Sequence, residues 1–111
     1  MNNTITPLTE DIMAPKLDAL GNPVRLKLYR LLVKTGEQGL GVSTIQEKLG
    51  IPASTLAHHL GKLVQAELVL QSRSGRQIIS CANYPMMDQL VNFLTEACCQ
   101  YEEAPRQNDQ D

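Results

Sequence analysis

Between Ser43 and Ala66 the chain carries a short amphipathic segment, a tight break and a longer amphipathic segment, an order that few folds accommodate. Ser43 is placed to cap a short helix to Leu49, in which Ile45 and Leu49 share a face at i, i+4. Gly50-Ile51-Pro52 turns the chain, and a second helix is expected from Pro52 or Ala53 to about Ala66. Its buried stripe is Leu56, Leu60, Leu63 and Val64, which leaves Ser54, Thr55, His58 and Lys62 largely outward. A short helix, a glycine-containing turn and a longer helix with a polar exposed face make a helix-turn-helix pattern.

The flanks extend the pattern to a whole domain. A first helix is expected from about Pro7, capped by Thr6, to Leu20, with Leu8, Ile12, Leu17 and Leu20 loosely on one face. Asn22-Pro23 restarts the chain into a helix to about Thr35, with Leu28, Leu31 and Leu32 inward and Arg25, Lys27, Arg30 and Lys34 solvated. Gly36 to Gly41 reads as a turn-rich connector. After Glu67 the period becomes extended: Leu68 to Gln71 and Gln77 to Cys81 flank Ser72-Arg73-Ser74-Gly75-Arg76, a β-hairpin with a basic tip. A closing helix runs from near Pro85 to about Tyr101, with Met86, Leu90, Phe93, Leu94, Ala97 and Tyr101 on one side. The expected fold is mainly α with a small β-hairpin: a winged helix-turn-helix of about five helices over residues 1–101, with a polar tail over 102–111.

Length and charge narrow what such a domain does. With 111 residues there is room for one core, and with 4% aromatic residues that core is aliphatic. No run approaches the roughly 20 apolar residues of a membrane span, and the first ten residues lack a basic and then apolar leader, so the expected location is the cytoplasm. The net charge of −2 hides a segregation. Arg25, Lys27, Arg30, Lys34, Lys48, Lys62, Arg73 and Arg76 face only Glu37, Glu47 and Glu67 between Asn22 and Arg76, while both ends are acidic. The basic middle coincides with the helix-turn-helix and hairpin, as contact with phosphate requires. No glycine-rich phosphate loop, no nucleophile with an identifiable base and no usable pair of carboxylates points to an enzyme.

The order of elements resembles the ArsR/SmtB family of winged-helix repressors over about Leu17 to Cys99. Leu20-Gly21-Asn22-Pro23-Val24-Arg25-Leu26 is similar to the family's opening of its second helix. Ser54-Thr55-Leu56-Ala57-His58-His59-Leu60 is similar to its recognition helix, and Glu67-Leu68-Val69 through Arg73-Ser74-Gly75-Arg76 follows at the spacing of its wing. The resemblance implies a homodimer paired through the first and last helices, with two recognition helices in successive major grooves of an imperfectly palindromic operator in double-stranded DNA, and release by an inducer. The stripe of Met86, Leu90, Phe93 and Leu94, with Ile12 on the first helix, asks for such a cover independently.

Ser54, Thr55 and His58 are the candidates for base edges, whereas Lys62, Arg73 and Arg76 suit phosphate, with either arginine also able to enter a minor groove. The plainer alternative has Ser54 and Thr55 capping the helix and His59 packing on its neighbours. His58 and His59 point about 100° apart on a helix and do not share a metal ion comfortably.

The family's metal sites are absent: Gly41 to Ile45 holds no Cys-x-Cys, and the closing helix keeps only Asp88 and Glu96 as isolated acids. No motif demands a cofactor. Cys81, Cys98 and Cys99 remain as sensing candidates, for a soft thiophilic metal such as trivalent arsenic or for oxidants and reactive sulfur, against simple packing. On a continuous helix Cys98 and Cys99 diverge, so one alone would face any partner. A further class left open is a winged-helix module for protein association with a merely solvated wing.

Overall fold

The computed structural model describes residues 8–102. The expected cap Thr6, the start at Pro7 and residues 103–111 of the tail lie outside them. Five helices are present: α1 (Glu10–Leu20), α2 (Pro23–Lys34), α3 (Val42–Leu49), α4 (Ala53–Gln65) and α5 (Tyr84–Thr95). Strands β1 (Leu40–Gly41), β2 (Val69–Ser74) and β3 (Gln77–Ala82) form an antiparallel sheet in the order β1-β3-β2.

Local chemistry accounts for most of the boundaries. The Asn22 carboxamide accepts from the backbone N–H groups of Val24 and Arg25 at 2.9 and 3.0 Å, and Pro23 occupies the first helical position, where a missing N–H costs nothing. Gly50 ends α3 in a left-handed conformation, φ 65°. The caps of α3 and α4 differ from expectation: they are Gly41 and Pro52, neither with a side-chain cap bond, so Ser43 sits inside α3 and Ser54 and Thr55 sit inside α4. These last two hydroxyls are thereby left for another use.

The core is one aliphatic cluster. Leu28 and Leu32 of α2, Ile45 of α3, Leu56, Leu60 and Leu63 of α4, Leu68, Val69 and Ala82 around the sheet, and Leu90 of α5 are buried together. Each such leucine contributes about 1.5–3 kcal/mol over an exposed one, so the α4 stripe alone anchors that helix firmly. On α1 the buried face is Met13, Lys16 and Ala19, with Leu17 exposed, while Leu8 lies ahead of the helix and is also exposed. The expected apolar face of α1 is therefore displaced, because Lys16 takes a core-facing position. Its ammonium donates to the Ala66 carbonyl at 3.0 Å and pairs with Glu67 Oε1 at 3.1 Å. Glu67 holds φ 65°, a conformation that costs a side-chain-bearing residue about 1 kcal/mol or more, and the ion pair helps to offset it.

The same junction carries α5. The Asn83 side chain donates to the Glu67 carbonyl at 2.8 Å and accepts from the Met86 N–H, and the Tyr84 hydroxyl donates to the Val33 carbonyl at 2.7 Å. The connector before α3 also holds more order than its composition suggests: Leu40 pairs with Ser80 and Gly41 with Ile79, adding a third strand at the base of the hairpin. The hairpin strands are longer than expected and close over a two-residue turn, Gly75-Arg76, which moves Arg73 from the loop into β2 opposite Ile78.

Candidate nucleic-acid interface

Ser54, His58, Gly61 and Gln65 stand at i, i+4, i+7 and i+11 on α4, and all four are exposed. At 100° per residue they form one continuous line opposite the buried leucines. Thr55 flanks this line half-buried and Lys62 flanks it exposed. The expected contact residues of α4 are thus brought onto one side of the helix. Gly61 and Gln65 were legible from the same periodicity but carry no charge to attract notice. Glycine inside a helix costs about 1 kcal/mol relative to alanine. At Gly61 a Cβ would have nothing within 4 Å, so among the described residues no packing accounts for the glycine.

His59 does more than pack. Arg25 donates through Nε to the Ala19 carbonyl at 2.6 Å, and its Nη1 lies 3.2 Å from His59 Nδ1. A guanidinium has no acceptor, so the neutral ring accepts at Nδ1 and carries its proton on Nε2. Burial, then the charge of Arg25, then His58 push the His59 pKa below its ordinary value, which favours that neutral form. The contact ties α4 to the α1–α2 junction, with the His58 and His59 rings edge to face at 5.4 Å.

The wing adds the second element. Val69, Ser80 and Ala82 are buried on one face of the hairpin, and directly opposed residues share a face, so Arg73 and Ile78 continue that face to the tip. Arg73 and Arg76 are both exposed there. Among the described residues the single ion pair is Lys16 with Glu67, so Lys62, Arg73 and Arg76 have no carboxylate within 4.0 Å.

Of the residues expected between subunits, Leu90 is buried in the chain's own core, and Ile12, Met86 and Phe93 pack half-buried against it. Leu94 is 59% exposed and is joined by Val91 at 55% and, on α1, Leu17 at 38%. The free apolar surface of α5 is therefore narrower than the sequence stripe and shifted by a quarter turn. The helix stops at Thr95 rather than near Tyr101, which leaves Ala97 and Tyr101 off it.

Ending α5 early changes the cysteines. Cys99 takes φ 65°, and the exposed Cys98 and Cys99 place their Sγ atoms 2.7 Å apart instead of diverging. The hydrogen bond to Cys98 pushes the Cys99 thiol above its usual range, with a smaller contribution from desolvation. Cys81 is half-buried on β3 opposite Leu70. Among the described residues no three His, Cys, Asp or Glu side chains gather as a metal site, so Cys81 does not join the pair.

A leucine-anchored helix with a polar outer line, beside a cationic hairpin, defines a winged helix-turn-helix transcriptional regulator. A family model described as a helix-turn-helix domain matches residues 20–71. The biofilm growth-associated repressor of Xylella fastidiosa is 32% identical over 108 residues, covering 91% of this chain and 92% of that one. An ArsR-like transcriptional regulator from Rhodococcus superposes with a TM-score of 0.73 at 20% identity, covering 83% of this chain and 84% of the other. A homodimeric winged helix-turn-helix DNA-binding domain from Mycobacterium bovis superposes with a TM-score of 0.62 at 21% identity, covering 86% and 89%. The chain belongs to the ArsR/SmtB family of winged-helix transcriptional regulators. Among the described residues no helix is long and apolar enough to cross a membrane.

Proposed function

We propose that the protein is a cytoplasmic repressor that binds a two-half-site operator in double-stranded DNA as a homodimer and leaves it when an inducer acts. The observation that carries this reading is the exposed line of Ser54, His58, Gly61 and Gln65 on an α4 anchored by buried leucines, with Lys62 beside it and Arg73 and Arg76 exposed on the wing, none of these three cations having a carboxylate within 4.0 Å among the described residues. Ser54, Thr55 and His58 contact base edges; Lys62, Arg73 and Arg76 hold phosphates. Exposed Val91, Leu94 and Leu17 supply the surface for a twofold partner, which sets the two α4 helices about 34–36 Å apart on the duplex. Binding rather than catalysis is the role of every residue in this arrangement.

Gel shift on DNA from upstream of its own coding region, competed with unrelated duplex, tests the reading. Arg73→Ala with Arg76→Ala is expected to weaken binding to all sequences and lower the salt slope by about one per arginine in each subunit, whereas His58→Ala alters preference among sequences by about 1–3 kcal/mol. Binding unaffected by either kind of change, or a protein that assembles only with other proteins, refutes it.

The Sγ atoms 2.7 Å apart favour the thiols as the inducer-responsive group. A soft trivalent ion is chelated by the two sulfurs, or a hydroperoxide oxidises them to one disulfide while itself being reduced to an alcohol and water. Reduced protein bound to operator is challenged with arsenite, zinc or a hydroperoxide, and compared with Cys98→Ser, Cys99→Ser. Release is expected from the parent alone; equal release from both removes the cysteines from sensing.

A further inference from the structure

We infer that Gly61 is the point where the duplex comes against the backbone of α4, so that the helix is read along its length to Gln65 and not only at its amino-terminal turns. This rests on the DNA-binding reading and deepens it. Three observations converge. Gly61 lies inside the thirteen-residue helix α4, where glycine is the least favourable residue after proline. It does not adopt the left-handed conformation that glycine serves elsewhere in this chain, at Gly36, Gly39, Gly50 and Gly75. A Cβ there would meet nothing within 4 Å. Neither backbone conformation nor packing within the described residues therefore asks for a glycine at 61, and a surface outside the subunit does.

The position says which surface. Gly61 stands one turn beyond His58 and one turn before Gln65 on the exposed line, next to Lys62. A missing side chain there lets the wall of a groove approach the helix by roughly the thickness of a methyl group or more, as glycine does where backbone meets ligand closely. That approach carries the Gln65 carboxamide to base edges, where glutamine pairs with the N6 and N7 of adenine. A helix lying on the duplex through its first turns alone would leave Gly61 and Gln65 in solvent.

The test separates stability from binding. Gly61→Ala is expected to raise Tm by about 4 °C or more, since a helix interior gains from alanine. The same variant loses operator affinity by about tenfold or more, with the loss on specific DNA exceeding that on unrelated duplex. Gln65→Ala is expected to relax preference at one base pair in each half-site. If the parent protein binds its operator and Gly61→Ala binds equally well, the inference is overturned while the repressor reading stands. If the parent shows no preference for any duplex, both fall together.

Discussion

Leu94→Glu leaves a folded subunit that no longer pairs, and operator affinity drops by about a hundredfold or more. Leu94 is 59% exposed on α5, outside the core that Leu90 joins, so a carboxylate there costs the isolated chain little. Twofold pairing would bring two such carboxylates to one apolar seam, and burying unpaired charge is prohibitive. Operator binding suffers because the second half-site is engaged at an effective concentration set by the first, a gain of about 10²–10⁴ that a monomer forfeits. Sedimentation should report the mass of one chain, circular dichroism an unchanged fold, and gel shift the lost affinity. A dimer of parental affinity would remove α5 from the interface.

The largest expected effect on stability is at Gly39. Its φ of 68° with ψ of −166° lies in a region that glycine alone occupies comfortably, and an added Cβ would run into the Ser80 carbonyl oxygen and come within 3.0 Å of Ile79 Cγ2. Ser80 is wholly buried and pairs with Leu40, so the backbone cannot retreat without opening the β1–β3 ladder at the base of the wing. Gly39→Ala is expected to cost about 3 kcal/mol or more and to lower Tm by about 10 °C or more. Gly36→Ala is the control: φ is 67° there too, but a Cβ meets nothing within 4 Å, so the expected cost is about 1 kcal/mol. Equal thermal shifts for the two variants would show that conformation alone, not the approach to Ser80, sets the requirement.

Both sites bear on how the interface is held. The wing that carries Arg73 and Arg76 is fixed at its base by the ladder to β1, and α4 is fixed by leucines beneath, by Arg25 at His59 and by Lys16 at its carboxyl end. A reading element held at several points keeps its geometry when a duplex binds, so binding energy is not spent on ordering it.

The elements legible in the amino-acid sequence are those whose determinants lie within a turn or two of each other. Asn22-Pro23 specifies the start of α2 through its own carboxamide and ring; Leu56, Leu60 and Leu63 specify the buried side of α4, and with it the outer line of Ser54 and His58; two extended runs around Ser72 to Arg76 specify a hairpin, although its two-residue turn at Gly75-Arg76 emerged only with the strand pairing. Tertiary structure decided the rest. Lys16 is buried because Ala66 and Glu67, fifty residues away, offer it acceptors, and periodicity cannot see that distance. Strand β1 exists because β3 lends it partners, two residues being too few to hold an extended form alone. Helix α5 ends at Thr95 although helix-forming residues continue beyond it, since Phe93 is the last of its side chains to pack on the core. Short-range chemistry speaks from the sequence itself, whereas a burial, a strand pairing or a helix end that depends on a distant neighbour is decided only when the chain has closed on itself.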